Sequence, residues 1–204
     1  MVLLARMLER VQPHILLIQE TWWTAKTTGA NLVGYVLVHR TDRDPNLQRV
    51  GTPHGGLATY VQAEAGVAYE PWTVTREVEL HRPNPDDRVV APDRTEVQRG
   101  LVSYGTEGRY KVLVANVYCP PLRYANRATH TVDVPKLMEA CADGAPGGAL
   151  LISGDFNAHA PRWDNSARPD ARGQDIADYV TDQGWSVANT GVATCRCVAG
   201  GRVH

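Results

Sequence analysis

The chain has 204 residues, 43% of them hydrophobic and 21% charged, with a formal net charge of −1. That length suits one domain with a sizeable core, and the near-neutral balance excludes a general polycation. Any hold on nucleic acid must therefore come from a local patch or a bound metal.

Val2 to Val11 reads as an amphipathic helix: Leu4, Met7, Leu8 and Val11 share one face, Arg6, Glu9 and Arg10 the other, and Pro13 ends it. The same charges break any signal-peptide pattern, and no apolar run reaches the length of about 18 residues that a membrane span needs. His14 to Ile18 is a buried strand with Gln19-Glu20-Thr21 at its end, and Val33 to His39 is a second strand. Thr41 to His54 is a polar loop, and Gly55 to Val61 a strand after a glycine turn. Pro83 to Arg94 reads as an exposed insertion. Val97 to Tyr104 and Tyr110 to Tyr118 form a hairpin stopped by Cys119-Pro120-Pro121. Val134 to Ala142 is a helix with Asp133 as its cap and Pro135 in its first turn. Leu150 to Ser153 is a strand, Arg172 to Gln183 a helix with Ile176, Tyr179 and Val180 inward, and Trp185 to Ala188 a short strand. Strands alternating with helices, together with hairpins, imply an α/β architecture with mixed sheets.

The four cysteines, Cys119, Cys141, Cys195 and Cys197, form no Cys-x-x-Cys pair. They read as reduced thiols of a nucleocytoplasmic protein rather than as a disulfide framework or a zinc site.

The chemistry gathers at strand ends. Leu150-Leu151-Ile152-Ser153 runs into Gly154-Asp155-Phe156-Asn157-Ala158-His159, so a buried strand delivers a carboxylate, an amide and an imidazole to its mouth. Ligands of α/β proteins bind outside the carboxyl ends of strands. Asp155, Asn157 and His159 alternate and would share a face if extended; local hydrogen bonding in a strand-to-loop turn explains Gly154, Asp155 and Asn157 as well. For His159 a structural role competes equally with a catalytic one. Glu20 is a second strand-end carboxylate. Alone it is a solvated acid; beside Asp155 it needs a cation or a proton between the two, and oxygen ligands in an open site suit Mg²⁺ or Mn²⁺. Tyr118 ends a third strand, either as a core-edge tyrosine or as a donor to a phosphoryl oxygen. Asn189 heads an Asn-Thr-Gly turn. Arg162, Arg168 and Arg172 read either as a solvated loop and helix start or as a grip on phosphates. Trp163 reads as packing rather than base stacking.

Five pieces occur in one order along the chain: Leu16-Leu17-Ile18-Gln19-Glu20-Thr21-Trp22, Gly55 to Val61, Asn116 to Pro121, Gly154 to His159, and Asn189-Thr190-Gly191. In that order they resemble the endonuclease/exonuclease/phosphatase (DNase I-like) superfamily, and most closely the apurinic-type endonuclease domain of non-LTR retrotransposons. The resemblance implies a four-layer α/β sandwich, with two packed mixed sheets flanked by helices and the site where the sheets meet. It implies that Glu20 ligates Mg²⁺, that Asp155 orients or deprotonates the attacking water, and that Asn157 and Tyr118 contact the phosphate. From the residues themselves, His159 is a further catalytic candidate, though not by position the family's C-terminal His, and Asn189 and Arg162 are substrate-binding candidates. The implied reaction is hydrolysis of a DNA phosphodiester to leave a 3′-hydroxyl that primes reverse transcription. The implied partners are target DNA in the nucleus and a reverse transcriptase domain downstream in one polyprotein. A small-phosphoester substrate, or an inert remnant, are the competing readings.

Members of the resembled family also carry an Asn-bearing first strand and a Ser-Asp-His motif, and neither occurs in these residues. Residues 1–204 are thus expected to be a single domain without those two pieces, with unpaired strand edges, and with little or no activity in isolation.

Overall fold

Strand pairing sorts the apolar segments into two sheets and carries the candidate residues to one end of both. The computed structural model describes residues 2–42, 55–72, 95–121, 132–165, 168–189, 198–199 and 202–203. One sheet is antiparallel, in the order β1 (Ile15–Gln19), β3 (Leu57–Gln62), β2 (Tyr35–Thr41). The other runs β4 (Ala68–Pro71), β5 (Glu96–Tyr104), β6 (Tyr110–Tyr118), β7 (Leu150–Asp155), antiparallel except for the parallel β6–β7 pair. The residues β8 (Val198–Ala199) and β9 (Arg202–Val203) pair with each other. The expectation of two mixed sheets thus holds for the second sheet only, since the first is wholly antiparallel among the described residues.

Three helices close the outer faces. From α1 (Val2–Val11), Leu4 and Leu8 reach Ala58, Tyr60, Leu16 and Ile18 on the first sheet. From α2 (Val134–Ala142), Leu137 and Cys141 pack on Ala115, Val117 and Cys119 of the second sheet. Helix α3 (Ala171–Asp182) adds Ile176 and Val180, which join Val134 and Met138 over Ile152 and Phe156. The order helix, sheet, sheet, helix is the expected four-layer α/β sandwich. Among the described residues no helix is long and apolar enough to cross a membrane.

The inner faces meet through a seam that is apolar at one end and polar at the other. At the apolar end, Ile15, Val102, Val112, Val114 and Leu151 line a cavity of about 360 Å³. Toward the other end, buried Asn116 on β6 donates to the carbonyls of Ile18 at 3.2 Å and Ala58 at 3.3 Å. Its Oδ1 accepts from Gln19 Nε2 at 2.6 Å. On β5, Gln98 accepts from Thr59 Oγ1 at 2.5 Å and donates to Thr41 Oγ1 at 3.2 Å. Such bonds have direction, which apolar contact lacks, so they fix how one sheet sits on the other.

Several expectations need correcting. The second strand starts at Tyr35, two residues late, because Gly34 turns the chain at φ 79°. Met7 and Val11 lie exposed on the flank of α1, whose contact with the sheet runs through Leu4 and Leu8. Trp185 to Ala188 is not a strand: Trp185 and Val187 pack against the α2–α3 cluster, and Trp185 meets the Tyr179 ring edge-on at 5.6 Å. The strand Ala68–Pro71 escaped the sequence reading because Pro71 and Glu70 dilute its pattern. Most of the Thr41 to His54 loop, the Pro83 to Arg94 insertion, Cys195, Cys197, Thr190 and Gly191 lie outside the described residues.

Cys119 and Cys141 are free and fully buried, as expected of reduced thiols. Burial pushes the Cys141 thiol from 9.0 up to about 12 and the Cys119 thiol from 9.0 up to about 11. A raised folded-state value means the unfolded chain loses these protons first. The stabilisation is therefore complete below about pH 9 and is lost at about 1.4 kcal/mol per pH unit for each thiol as pH rises, up to about 11 for Cys119 and about 12 for Cys141. Thermal midpoints should hold steady between about pH 7 and pH 8 and fall above about pH 9. Cys141→Ala should flatten that fall, and an equally steep decline in the variant would count against this account.

Candidate functional site

Register alone assembles the centre of the site. Glu96 pairs with Tyr118 across β5–β6, and Tyr118 pairs with Asp155 across β6–β7. Residues in one row of a sheet point to one face, and this row faces the first sheet, as Gln98 and Asn116 do two residues along. The fourth member comes from the first sheet. Tyr118 donates its phenolic O–H to Glu20 Oε1 at 2.7 Å.

Tyr118 is only 2% exposed. Burial raises its pKa well above 10.0, and the bond to Glu20 and the charges of Glu20, Asp155 and Glu96 add to the effect. It is therefore a protonated donor throughout the neutral range, bonded to one carboxylate and in the field of two others. Among the described residues no three acidic, His or Cys side chains are gathered tightly enough to cage a metal by themselves. An open, oxygen-rich site is the arrangement that Mg²⁺ accepts, because it keeps several waters and uses one or two carboxylates.

Glu20 reaches Tyr118 through a distortion. Pairing of β1 with β3 is regular from Ile15↔Val61 to Gln19↔Leu57. Beyond it, Thr21 N–H donates to Gly56 O at 3.1 Å and Trp22 N–H to Gly55 O at 3.0 Å, a slip of one residue. Glu20 is the extra residue, at φ 52°, a left-handed conformation uncommon outside glycine. A bulge of this kind re-aims a side chain at the end of a strand. Trp22, at φ 57° and 53% exposed, stands beside it on the surface.

On β7 the strand runs through Asp155 and then breaks at Asn157, which sits at φ 45°. The expected common face of Asp155, Asn157 and His159 is therefore not formed. Instead Asp155 Oδ1 accepts from the backbone N–H of Asn157 at 2.9 Å, and the Asn157 amide donates to Cys119 O at 2.9 Å. The local hydrogen bond expected of a strand-to-loop turn is present between Asp155 and Asn157, while Gly154 belongs to the strand and Asp155 keeps its row beside Tyr118. Two site candidates in left-handed conformations are the kind of local strain that collects at functional sites.

His159 is exposed, and its backbone rather than its ring does the visible work. Its N–H donates to Asp170 Oδ2 at 3.1 Å and its carbonyl accepts from Asp170 N–H at 3.0 Å. Asp170 Oδ1 also accepts from Gly173 N–H at 2.7 Å and so caps α3. Arg172 is the clearest correction: at 4% exposure it does not face solvent. Its Nη1 donates to Pro120 O and Phe156 O at 2.8 Å each, tying the loop after β6 to the loop after β7. Arg162 is exposed and donates to Thr181 Oγ1 near the end of α3, and Arg168 and Asn189 are exposed. Trp163 packs, as expected, with its Nε1 on Ala158 O at 3.1 Å.

The structure thus joins Glu20, Tyr118 and Asp155 and sets Asn157 next to Asp155, while His159 contacts Asp170 and Arg162 contacts Thr181. Sequence reading missed Glu96, Asn116 and Asp170. Only Asp170 carried a local signal, an N-capping residue just before a helix.

Solved structures resemble this fold. The endonuclease domain of TRAS1, a telomere-specific non-LTR retrotransposon, superposes with a TM-score of 0.59 at 16% identity, over 98% of this chain and 73% of that one. The human Nocturnin catalytic domain with bound sulfate gives a TM-score of 0.48 at 17% identity, over 78% of this chain and 56% of that one. No curated protein matches the sequence. The family model described as Endonuclease/Exonuclease/phosphatase family matches residues 1–200, and the chain belongs to that family.

Proposed function

We propose that the chain is the DNA endonuclease domain of a non-LTR retrotransposon, a divalent-metal-dependent phosphodiesterase that nicks target DNA so that a 3′-hydroxyl can prime reverse transcription. The observation that carries this reading is the buried Tyr118 phenol bonded to Glu20 within reach of the charges of Asp155 and Glu96. The ordered motifs and the fold shared with the TRAS1 endonuclease domain support it.

On this reading Tyr118, kept protonated, orients the Glu20 carboxylate with its one O–H, and turning that donor from Glu20 to the phosphate is its contribution where negative charge grows. Asp155 takes or orients the proton of the attacking water. One N–H of the Asn157 amide is spent on Cys119 O, which fixes the group so that the other can reach a phosphoryl oxygen. Glu20 is the residue to hold Mg²⁺, or Mn²⁺, which when bound supplies charge at the phosphate and a more acidic water. Asn189 and Arg162 remain candidates for binding substrate, and His159, whose backbone is engaged with Asp170, a candidate for catalysis. Residues 1–204 are read as one domain lacking the Asn-bearing strand and the Ser-Asp-His segment. Its partners are then target DNA, met in the nucleus, and a reverse transcriptase domain of the same polyprotein.

The test is nicking of supercoiled plasmid by these residues together with the sequence that flanks them. Mg²⁺-dependent relaxation should fall by about a hundredfold or more in Asp155→Ala, about 3 kcal/mol of barrier. Activity indifferent to that change, or a preference for soluble phosphomonoesters over DNA, would sink the reading. Robust cleavage by the 204-residue chain alone would refute the expectation that it is nearly inactive.

A further inference from the structure

We infer that Glu96 is a positioning residue for Glu20, acting through the Gly55-Gly56 backbone; the inference rests on the endonuclease reading only for its kinetic consequence. Glu96 Oε2 accepts from Gly56 N–H at 2.6 Å. Gly56 O accepts from Thr21 N–H, and Gly55 O from Trp22 N–H. The chain of contacts therefore runs from a carboxylate on β5, across the gap between the sheets, into the bulge that holds Glu20 at φ 52°.

A left-handed non-glycine residue persists only where its surroundings over-determine it. The bonds from Thr21 and Trp22 are the brace on its far side, and Glu96 is what fastens that brace to the second sheet. The space is filled: a Cβ on Gly55 would lie 2.7 Å from Glu96 Oε1, and one on Gly56 would lie 2.4 Å from Thr21 Oγ1. Both glycines also have positive φ, 94° and 91°, so the Gly-Gly pair is the only pair of residues that admits this approach without strain. Glu96 shares its row with Tyr118, whose hydroxyl bonds Glu20 directly. The second sheet thus holds Glu20 twice, by its carboxylate through Tyr118 and by its backbone through Glu96.

The role needs an acceptor at the right reach, and it does not need a charge. Amide hydrogen exchange on the 204-residue chain reads it without activity. Glu96→Ala should speed exchange at Gly56, Thr21 and Trp22 at least about tenfold, with the amides of β6 and α3 unchanged. Glu96→Gln, which keeps an acceptor oxygen at the same reach, should restore protection. Should the alanine variant fail to fold, Glu96→Asp, one methylene short, serves in its place with the same expected loss. In the nicking assay on the flanked polypeptide, Glu96→Ala should raise the half-saturating Mg²⁺ concentration about tenfold and Glu96→Gln should not. Undisturbed amides in the alanine or aspartate variant, or a glutamine variant no better than alanine, would overturn the inference. A flanked wild type that fails to nick would overturn the endonuclease reading and leave the exchange result to decide the role of Glu96.

Discussion

Gly154→Ala should destabilise the fold by about 3 kcal/mol and remove most activity with it. A Cβ at position 154 would lie 1.9 Å from Val117 O and 2.7 Å from Val117 C, both backbone atoms of the parallel partner strand. No side-chain rotation relieves a clash with backbone, so β7 would have to move bodily away from β6. Strand β7 ends its sheet among the described residues, and its Leu151 is 47% exposed, so the movement has room. The cost falls on the bonds beyond it. Cys119 N–H to Asp155 O at 2.8 Å would stretch, and Asp155 would leave the row that sets it beside Tyr118. A displacement of about 1 Å at a reacting group costs on the order of a hundredfold in rate. Gly147→Ala is the control: it has φ 58° but nothing within 4 Å, so only the left-handed penalty of about 1–2 kcal/mol applies. Urea midpoints of the two variants should separate clearly. A Gly154→Ala midpoint equal to that of Gly147→Ala would show that the strands can part freely.

Gly154 also marks what the sequence could and could not tell. Its place before Asp155 was plain in the chain, but it read as a turn glycine, whereas it lies inside β7 at a close approach of two backbones. Patterns set by neighbours along the chain came through well. The helices, the Tyr110–Tyr118 strand, the Asp133 cap and the apolar strands were legible because periodicity and caps are local. Glu20, Tyr118 and Asp155 were legible for the same reason, each standing at the end of such a strand. What was hidden depends on residues about 40 to nearly 100 positions apart: Glu96 on Gly56, Asn116 on Gln19, Tyr118 on Glu20. Single residues give no sign of that pairing. Arg172 shows the reverse error. An arginine at the start of a helix near a phosphate motif invites an anion, yet the side chain is buried and its Nη1 donates to loop carbonyls.

Asn116 is where the two sheets are fastened, and its replacement is the second large effect expected. The side chain is 1% exposed and makes three bonds to the first sheet, donating to Ile18 O and Ala58 O and accepting from Gln19 Nε2. Asn116→Leu keeps the branched shape, with bulkier methyl groups, but leaves the Gln19 amide and two strand carbonyls short of partners where water is excluded. Each such loss costs about 1–3 kcal/mol, so the total should be about 3 kcal/mol or more. Asn116→Asp has the same shape and should be worse near neutral pH, because an ionised carboxylate has no donor for the two carbonyls and is itself buried, a penalty of about 3–5 kcal/mol. Protonation would restore one donor. Burial raises the pKa of such a carboxyl, so the aspartate variant should regain stability as pH falls toward its folded-state value and lose it as pH rises. Urea unfolding across pH 5 to about 8 would check the ordering, wild type above leucine above aspartate at the upper end, with the last two converging at the lower. Equal stability of wild type and leucine variant would mean that apolar packing alone seats the sheets. The consequence reaches the site, because Asn116 stands two residues before Tyr118 on β6 and Gln19 immediately before Glu20. A seam that slips there moves the carboxylate and the phenol apart, so the hydrogen bond between them depends on an amide that itself carries no chemistry.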